Sequence, residues 1–478
     1  MRAESAKTPI MRMLLACLLA AGCATPLSAT RAAPEVVDVA VVGGGLAGLV
    51  TAYELQQRGL NAHVLELTDR LGGRVATAEY GPGLRAEYGL EEIWEKSPLL
   101  PLAKKLGVEL EGEGTFSSVV LAGTLHPFTQ ESSDAYFDSL FSPADRQAQR
   151  AFFKRAETLI TQLEQNPALA QLSFAQWLQD EGVPPRVQKW IRLTLECELG
   201  ASAEEFSAAF GIFELRTFLF GGERAFHAVG GNSRLVAAFE KALAGHTTLR
   251  AKVMGIDRHR DAGGERSVTV RYLRDGQMKE LRARRVVLAV PWMMQHLIEL
   301  NPPLPQSAQL AMASIGRGQY AVVHLIIDKA AHGLWGGVEA RPFPVLTEGL
   351  LGAVYGVRTP SPAGQQNEVF SLLIHGNAAR AFHLVPPERT REEIVAGLEQ
   401  LWPGFSKFVR GSAVYTYHPA AIPFWPVGRA PFDEQGRGLF ASFDGLFLAG
   451  DFLVSSHSEG AVVAAQRQAE TIARELGK

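Results

Sequence analysis

The strongest constraint on the fold is a glycine-rich turn that follows a β-branched run near the N-terminus. The run Val36–Val42 is typical of a buried parallel strand, and it leads into residues 43–48 with the sequence GGGLAG, which fits G-x-G-x-x-G. A helix is predicted from Leu46 to Arg58, and a second strand over residues 62–66 ends in Glu66. A strand, glycine turn, helix and acid-ended strand in this order are typical of a dinucleotide-binding domain.

Each part of the turn has a physical role. Gly43 permits the tight bend, Gly45 lets the backbone approach a pyrophosphate, and Gly48 lets the helix pack closely on the strand. The helix start at Leu46 and Ala47 offers unpaired N–H groups and the positive end of the helix dipole to the phosphates. The sequence therefore predicts that these residues bind a cofactor diphosphate.

The segment after the second strand favours FAD over NAD. Glu66 lies 18 residues after the last motif glycine and is placed to accept hydrogen bonds from a ribose diol, as in an adenosine without a 2′-phosphate. The run RLGGR then sets Arg70 and Arg74 on either side of Gly72 and Gly73. Two arginines that flank a flexible diglycine are suited to holding a diphosphate and to passing close to a flavin ring.

With this run the sequence resembles the flavin-containing amine oxidase superfamily. That group includes monoamine and polyamine oxidases, L-amino-acid oxidases, protoporphyrinogen oxidases and phytoene-type desaturases. Further segments extend the resemblance over most of the chain, and they are AEYGLEEI at residues 86–93, VGGNSRL at 229–235, LRAKVMGI at 249–256 and GLFLAGDF at 445–452. The resemblance implies an FAD enzyme, and it implies that the backbone of Val253 contacts the adenine.

The C-terminal segments carry the other half of the implied cofactor site. In the family the Gly450-Asp451 pair meets the pyrophosphate and the ribityl chain. The start of a final helix, predicted to run through Glu475, abuts the flavin, and its implied cofactor-binding residues are Glu459, Gly460, Ala461 and Val462. A helix N-terminus is suited to the negative charge of a reduced flavin.

The resemblance implies an α/β fold, in which a Rossmann-like FAD-binding domain is interleaved with an α+β substrate-binding domain. Segments 35–95, 225–300 and 435–478 are predicted to build the FAD-binding domain, and segments 96–224 and 301–434 the substrate-binding domain. In the substrate-binding domain, Ser142 and Pro143 predict the start of a helix that continues to Gln165.

The reaction centre departs from the family pattern. Family members commonly place a lysine beside the flavin N5, where it assists the reaction with oxygen, but matching residues 318–328 to that strand puts Val322 at the lysine position, and no lysine follows before Lys329. Strand alternation sets Tyr320, Val322 and His324 on one face. His324 is thus a candidate catalytic base or hydrogen-bond donor. The alternative is a histidine whose hydrogen bonds are satisfied in the core.

The substrate side of the flavin raises a similar question. Amine oxidases often hold the substrate between two aromatic residues, one of which lies two positions before the glutamate of the last helix, where this chain has His457. Residues 417–428 resemble a segment of porphyrinogen oxidases and desaturases and are also compatible with the aromatic strand of amine oxidases. They make Phe424 and Trp425 candidate substrate contacts, with core packing as the alternative. The stretch has no cysteine for covalent attachment of a flavin, so FAD is expected to bind non-covalently.

The first 34 residues predict a signal peptide and a linker. Basic residues precede the apolar run Met13–Ala21, which is too short to span a bilayer. Gly22 and Cys23 follow, and LAAGC resembles a bacterial lipoprotein cleavage site, with ordinary signal-peptidase cleavage a few residues later as the alternative. The protein is therefore expected to be exported, either to the bacterial periplasm or to a membrane surface through a lipid anchor.

Composition excludes several other classes. Lys plus Arg number 47 and Asp plus Glu 50, so the net charge of −3 gives no electrostatic footprint for nucleic acid. The cysteines are Cys17, Cys23 and Cys197, too few for a disulfide scaffold or a thiolate metal cluster, and no metal is expected.

Three hypotheses about function remain open. The first is oxidation of a small-molecule amine by hydride transfer to the flavin N5, giving an imine that hydrolyses, with O₂ or another carrier as electron acceptor. The second is a desaturase or porphyrinogen-type oxidoreductase that acts on C–C or ring C–N bonds, which Val322 and residues 421–425 favour. The third is an FAD-binding protein whose catalytic centre has decayed.

Overall fold

The computed structural model describes residues 36–114, 117–128, 133–220, 224–337, 342–411 and 415–478. The predicted signal peptide, linker and lipid anchor lie outside these residues. Among the residues described, no helix combines the length and the hydropathy that a membrane span requires.

The chain alternates between strands and helices along its described length. The strands are β1 (Val36–Val42), β2 (Ala62–Leu65), β3 (Thr77–Gly81), β4 (Leu84–Glu87), β5 (Ile93–Trp94), β6 (Leu110–Gly114), β7 (Ser118–Leu121), β8 (Thr124–His126), β9 (Arg224–Ala228), β10 (Thr247–Thr248), β11 (Lys252–Arg260), β12 (Arg266–Arg274), β13 (Gln277–Leu288), β14 (Glu299–Asn301), β15 (Gly316–Asp328), β16 (Val345–Leu346), β17 (Ala353–Gly356), β18 (Asn367–His375), β19 (Val409–Gly411), β20 (Tyr415–Phe424) and β21 (Leu446–Leu448). The α-helices are α1 (Leu46–Gln57), α2 (Leu99–Lys105), α3 (Ser133–Leu140), α4 (Pro143–Ile160), α5 (Phe174–Asp180), α6 (Pro185–Leu199), α7 (Ala208–Phe218), α8 (Ser233–Ala242), α9 (Gln306–Ala313), α10 (Gly376–His383), α11 (Pro387–Leu401), α12 (Glu434–Gly438) and α13 (His457–Glu475).

The first large sheet has the strand order β10-β2-β1-β13-β12-β11-β14, with β21 also paired to β13. Strands β10, β2, β1, β13 and β21 are parallel, whereas β12 pairs antiparallel with β13 and β11 pairs antiparallel with β12. Residues of α1 and α13 share one buried cluster with residues of β1, including Val41, Leu49 and Val462. This topology confirms the predicted α/β class with a Rossmann-like sheet.

The second large sheet has the order β19-β15-β18-β17-β16-β7-β8, and β20 pairs with β15 as well. Strand β15 of this sheet shows the predicted alternation of side chains between its two faces. Tyr320 lies in a core formed largely by helices α3 to α7, whereas Ala321, Val323 and Leu325 lie in a separate cluster on the other face. The face that bears Tyr320 and Val322 is therefore turned towards those helices.

Two predicted helix ends need correction. Helix α1 ends at Gln57, one residue before the predicted Arg58, because Gly59 adopts a φ of +74° that does not continue a helix. Helix α4 begins as predicted, with the Ser142 hydroxyl accepting the Asp145 N–H at 3.2 Å, but it ends at Ile160 and not at Gln165. Residues 163–165 form a separate 3₁₀ turn. The domain boundaries remain predictions.

Candidate active site

The glycine turn has the close contacts that its motif requires. A Cβ on Gly48 would lie 1.9 Å from the carbonyl oxygen of Gly43, and one on Gly43 would lie 2.7 Å from the carbonyl oxygen of Ala289. A Cβ on Gly45 would meet no atom within 4 Å, so this residue borders open space. No side chain caps the start of α1 and its first turn has no acid, which leaves N–H groups of the helix start free for an anion. The turn therefore fits a cofactor phosphate.

The Glu66 carboxylate is held beside this turn. One of its oxygens accepts the Gly44 N–H at 2.7 Å, and the other accepts the Thr68 N–H at 2.8 Å. The Glu66 carbonyl accepts the Ala251 N–H at 2.8 Å, so the residue before β11 lies next to the end of β2. Val253 follows two residues later in β11, and its predicted contact with the adenine stays a prediction.

The diglycine loop lies against the glycine turn. The Gly72 N–H donates to the Gly44 carbonyl at 2.8 Å, and a Cβ on Gly73 would lie 3.2 Å from the Cα of Gly45. The Arg70 guanidinium donates to the Gly73 carbonyl at 2.8 Å. Arg70 thus holds the loop in shape, and its predicted contact with the diphosphate stays a prediction.

Arg74 connects this loop to the C-terminal Gly-Asp turn. Its Nη1 lies 2.6 Å from Oδ2 of Asp451, whose residue is 2% exposed, and the same nitrogen donates to the Ala421 carbonyl. Gly450 precedes Asp451 in an extended conformation. Predicted cofactor residues from opposite ends of the chain therefore meet at one place.

The start of α13 is fixed by packing and by ion pairing. A Cβ on Gly460 would lie 2.0 Å from the Ser455 carbonyl oxygen, so the helix approaches the preceding turn closely. Ala461 and Val462 are 7% and 0% exposed and pack in the core. The Glu459 carboxylate lies 3.1 Å from the Arg216 guanidinium.

His457 begins α13 in a left-handed conformation, with a φ of +71°. Its ring lies 5.2 Å from that of Phe218, and its Nε2 lies 3.8 Å from Oε2 of Glu198. Burial is the main cause that lowers the pKa of His457 to about 4, so its ring is neutral at neutral pH. Burial, reinforced by the charge of Glu92, raises the pKa of Glu198 to about 8.

Besides burial, Glu92 and Glu214 both raise the pKa of Glu198, and Arg358 opposes them. The Arg358 guanidinium lies 2.8 Å from the Glu92 carboxylate and also donates to Glu113. Burial, with the neighbouring acids, raises the pKa of Glu91 as well, and Arg358 opposes that rise. The single positive charge of Arg358 is therefore shared by Glu91, Glu92 and Glu113 and cannot balance all three carboxylates. Sequence reasoning missed Glu198 and Arg358, which lie outside every quoted motif.

His324 is 1% exposed, and both of its ring nitrogens have partners. Nε2 lies 2.8 Å from the Glu87 carbonyl, to which it must donate, so Nδ1, 2.5 Å away, accepts from the Tyr80 hydroxyl. Burial lowers the pKa of this imidazole to about 4. The geometry favours the alternative of a histidine satisfied in the core, and a catalytic role stays a prediction. Val322, on the same face of β15, is 4% exposed.

The two aromatic candidates lie in the core. Phe424 is 7% exposed and packs on Gly316, where a Cβ would come within 2.3 Å of its ring. Trp425 is 1% exposed, and its ring lies 5.2 Å from that of Phe210. These contacts favour the packing alternative, while direct contact with the substrate stays a prediction.

Comparisons with known proteins agree with this geometry. The family model described as flavin containing amine oxidoreductase matches residues 46–473. Human amine oxidase [flavin-containing] B is 24% identical over 92% of this chain and 87% of its own length. Rice polyamine oxidase 4 is 24% identical over 63% of this chain and 61% of its own length.

Solved structures share the fold. Cyclohexylamine oxidase from Brevibacterium oxydans covers 92% of this chain and 100% of its own, with a TM-score of 0.73 and 21% identity. Wild-type putrescine oxidase bound to putrescine covers 93% of this chain and 100% of its own, with a TM-score of 0.75 and 22% identity. The predicted resemblance and the FAD cofactor, held without a covalent bond, are confirmed. The chain belongs to the flavin-containing amine oxidoreductase family and is an FAD-dependent oxidoreductase.

Proposed function

We propose that the protein oxidises the C–N bond of a small-molecule amine to an imine, which water then hydrolyses to a carbonyl compound and ammonia or a smaller amine. Bound FAD supplies the acceptor for the hydride that leaves the carbon next to the nitrogen. The observation that carries the proposal is the Glu198 carboxylate, which lies 3.8 Å from His457 at the start of α13.

Glu198 is suited to receive a cationic amine. Its side chain is 23% exposed, and the Arg358 guanidinium is already shared by Glu92 and Glu113. An ammonium group next to Glu198 would balance part of the remaining negative charge. Because the pKa of Glu198 is raised to about 8, its carboxylate can take the ammonium proton and leave a neutral amine, whose lone pair forms the C=N bond as the hydride departs.

Aromatic rings and strand β15 border the same place. The ring of Phe218 lies between His457, at 5.2 Å, and Trp94, at 5.6 Å. The Tyr320 hydroxyl donates to the Glu198 carbonyl at 2.5 Å, which joins the end of α6 to the face of β15 that bears Val322. Apolar walls of this kind position an alkyl or aryl group and exclude water.

The second candidate is a desaturase or porphyrinogen-type oxidoreductase. The observation that favours it is Val322, which is buried at the position where the family resemblance implies a lysine. A valine there cannot assist the reaction with O₂ as a lysine would, so we also propose that a carrier other than O₂ accepts the electrons in this protein.

The proposal extends to the location of the protein. The basic start and the apolar run Met13–Ala21 support export, to the bacterial periplasm or to a lipid-anchored site at a membrane. Fractionation of producing cells, with mass spectrometry of the mature N-terminus, tests it. A lipid on Cys23 supports the anchor, cleavage a few residues later supports a periplasmic protein, and a cytoplasmic protein that keeps Met13–Ala21 overturns export.

The experiment that tests the chemistry is anaerobic bleaching of the bound flavin by a panel of compounds. Primary amines, diamines and amino acids form one arm, and a porphyrinogen and a polyene form the other. Bleaching by one class of amine supports the proposal. Bleaching by the second arm alone favours the desaturase or porphyrinogen-type candidate.

A further inference from the structure

The last turn of α7 contacts the first turn of α13. The Glu214 carboxylate accepts the Ser456 N–H at 3.2 Å, and Arg216 and Thr217 approach the Glu459 carboxylate to 3.1 Å and 3.4 Å. These contacts hold the beginning of α13 from one side.

Glu214 is the buried member of this set. It is 1% exposed, whereas the side chain of Glu459 is 20% exposed. Ser456 does not cap α13 with its hydroxyl, because that group donates to the Pro423 carbonyl at 2.6 Å. Glu214 is therefore a buried titratable carboxyl group beside a helix start that has no side-chain cap.

The start of α13 lies next to the residues that are predicted to hold the cofactor. The glycine turn borders the diglycine loop, the loop leads to Arg74, and Arg74 pairs with Asp451. Besides burial, which lowers the pKa of His457, the charge of Asp451 raises that pKa and the charge of Arg74 lowers it. A flavin held by these residues would lie close to the helix start that Glu214 contacts.

We propose that Glu214 is a positioning residue that sets the reduction potential of the flavin through the start of α13 and takes up a proton when FAD is reduced. Reduction by two electrons and one proton adds one negative charge to the flavin. Like charges repel, so the reduced flavin favours the carboxylic acid form of Glu214, and one further proton moves from solvent to its carboxylate. The inference rests on FAD binding and not on the identity of the substrate.

The groups around Glu214 leave it poised to titrate. Burial is the main cause that raises the pKa of Glu214 to about 8, Arg216 opposes the rise, Glu459 adds to it and the Ser456 N–H opposes it. Glu198 on α6 is coupled to Glu214, and its own pKa is also raised to about 8. His457 is neutral over the same range of pH. Glu198 is therefore the competing site for the proton.

The test is the midpoint potential of the bound flavin from pH 6 to pH 10, measured by dye equilibration on the FAD-bound protein. Below about pH 8 the carboxyl is already protonated, so the wild-type slope should equal that of Glu214→Gln. Above about pH 8, and below the higher pKa that Glu214 takes beside the reduced flavin, the wild-type slope should be twice as steep, because two protons then accompany the two electrons. The Glu214→Gln variant should keep the single-proton slope throughout.

Two controls keep the test decisive. Glu196→Gln removes another partly buried carboxylate whose pKa is raised, but one that lies 2.8 Å from Arg192, and it should leave the doubled slope intact. A doubled slope that persists in Glu214→Gln but disappears in Glu198→Gln assigns the proton to Glu198 and overturns the proposal. A wild-type slope that does not double overturns it as well, without need of any variant. If Glu214→Gln does not fold, Glu214→Asp should shift the pH at which the slope changes.

Discussion

Arg74 and Asp451 lie 377 residues apart in the sequence, and their side chains form an ion pair with 2.6 Å between Nη1 and Oδ2. The pair joins the loop after β2 to the turn after β21. Since Asp451 is 2% exposed, its carboxylate depends on this partner for compensation. The contact therefore joins the N-terminal and C-terminal segments of the Rossmann-like sheet at the predicted cofactor site.

Asp451→Ala is expected to lower FAD retention more than tenfold. The substitution leaves the Arg74 guanidinium without its carboxylate partner and frees the turn that the resemblance places at the pyrophosphate. The ratio of flavin to protein absorbance after gel filtration measures the effect. Arg260→Ala breaks the more exposed Arg260–Asp444 pair and should leave that ratio unchanged. Equal FAD content in the two variants would contradict this assignment.

Gly45→Asp is expected to abolish FAD binding while the apoprotein keeps its fold. A Cβ at residue 45 meets no atom within 4 Å, so the backbone accepts the substitution, but the carboxylate would repel the phosphate that the motif is predicted to bind. Flavin content and circular dichroism separate the two effects. Gly438→Asp adds the same charge at another open position, in α12, and should retain FAD. A Gly45→Asp protein purified with full flavin content would refute the phosphate site.

Glu198→Gln is expected to raise the KM for the amine at least tenfold and to remove a pH dependence. In the wild-type protein the rate of flavin reduction should rise as the pH passes about 8, because the carboxylate form accepts the ammonium proton. Gln cannot take that proton, so the variant should lose this step. Stopped-flow measurement of flavin reduction at several pH values checks this loss. Glu204→Gln is the control, because Glu204 is an exposed carboxylate paired with Arg192. The same step in both proteins would exclude Glu198 as the acceptor.

The two histidines are expected to respond differently to alanine. His457→Ala should slow flavin reduction with FAD retained, because the ring lies beside Glu198. His324→Ala should lower the free energy of unfolding by about 1–3 kcal/mol, because it leaves the Tyr80 hydroxyl and the Glu87 carbonyl unpaired. Anaerobic reduction rates and urea unfolding distinguish the two roles. A slower reduction and an unchanged stability in His324→Ala would support the catalytic prediction.

Because burial raises the pKa of Glu214, the free energy of unfolding is expected to fall as the pH rises from about 5 to about 8. The pKa of Glu214 is raised to about 8 from an ordinary value of 4.5, so the folded protein holds a proton that the unfolded chain releases in this range. The stabilisation is complete below the lower value and is lost as the pH passes the higher one. Glu214→Gln should flatten this fall by more than about 1 kcal/mol, measured by urea unfolding at pH 5 and pH 8. An equal fall in both proteins would place the titration elsewhere.

The geometry of the glycine turn could be predicted because the motif that specifies it is local. Close contacts require glycine at residues 43 and 48, Gly45 borders open space, and Glu66 lies at the next strand end, so the spacing of the motif reveals all four. Glu198 could not be found in this way, because its proposed role depends on a contact between the end of α6 and the start of α13.

Most of the remaining differences between the predicted and the observed site concern the contacts of side chains. The alternation of Tyr320, Val322 and His324 was predictable from strand geometry. The partners of His324 were not, since Tyr80 and Glu87 come from a hairpin 237 or more residues earlier in the chain. The packing of Trp425 on Phe210 likewise depends on tertiary contacts that no local pattern records.

The rate of anaerobic flavin reduction by a primary amine, compared with the same amine deuterated at the carbon next to nitrogen, tests the central claim most directly. The account predicts that the flavin bleaches in a single turnover, that the deuterated amine reacts several-fold more slowly, and that the corresponding aldehyde is released. An FAD-loaded protein that no amine bleaches would contradict amine oxidation. Bleaching at equal rates by both amines would contradict rate-limiting hydride transfer from that carbon.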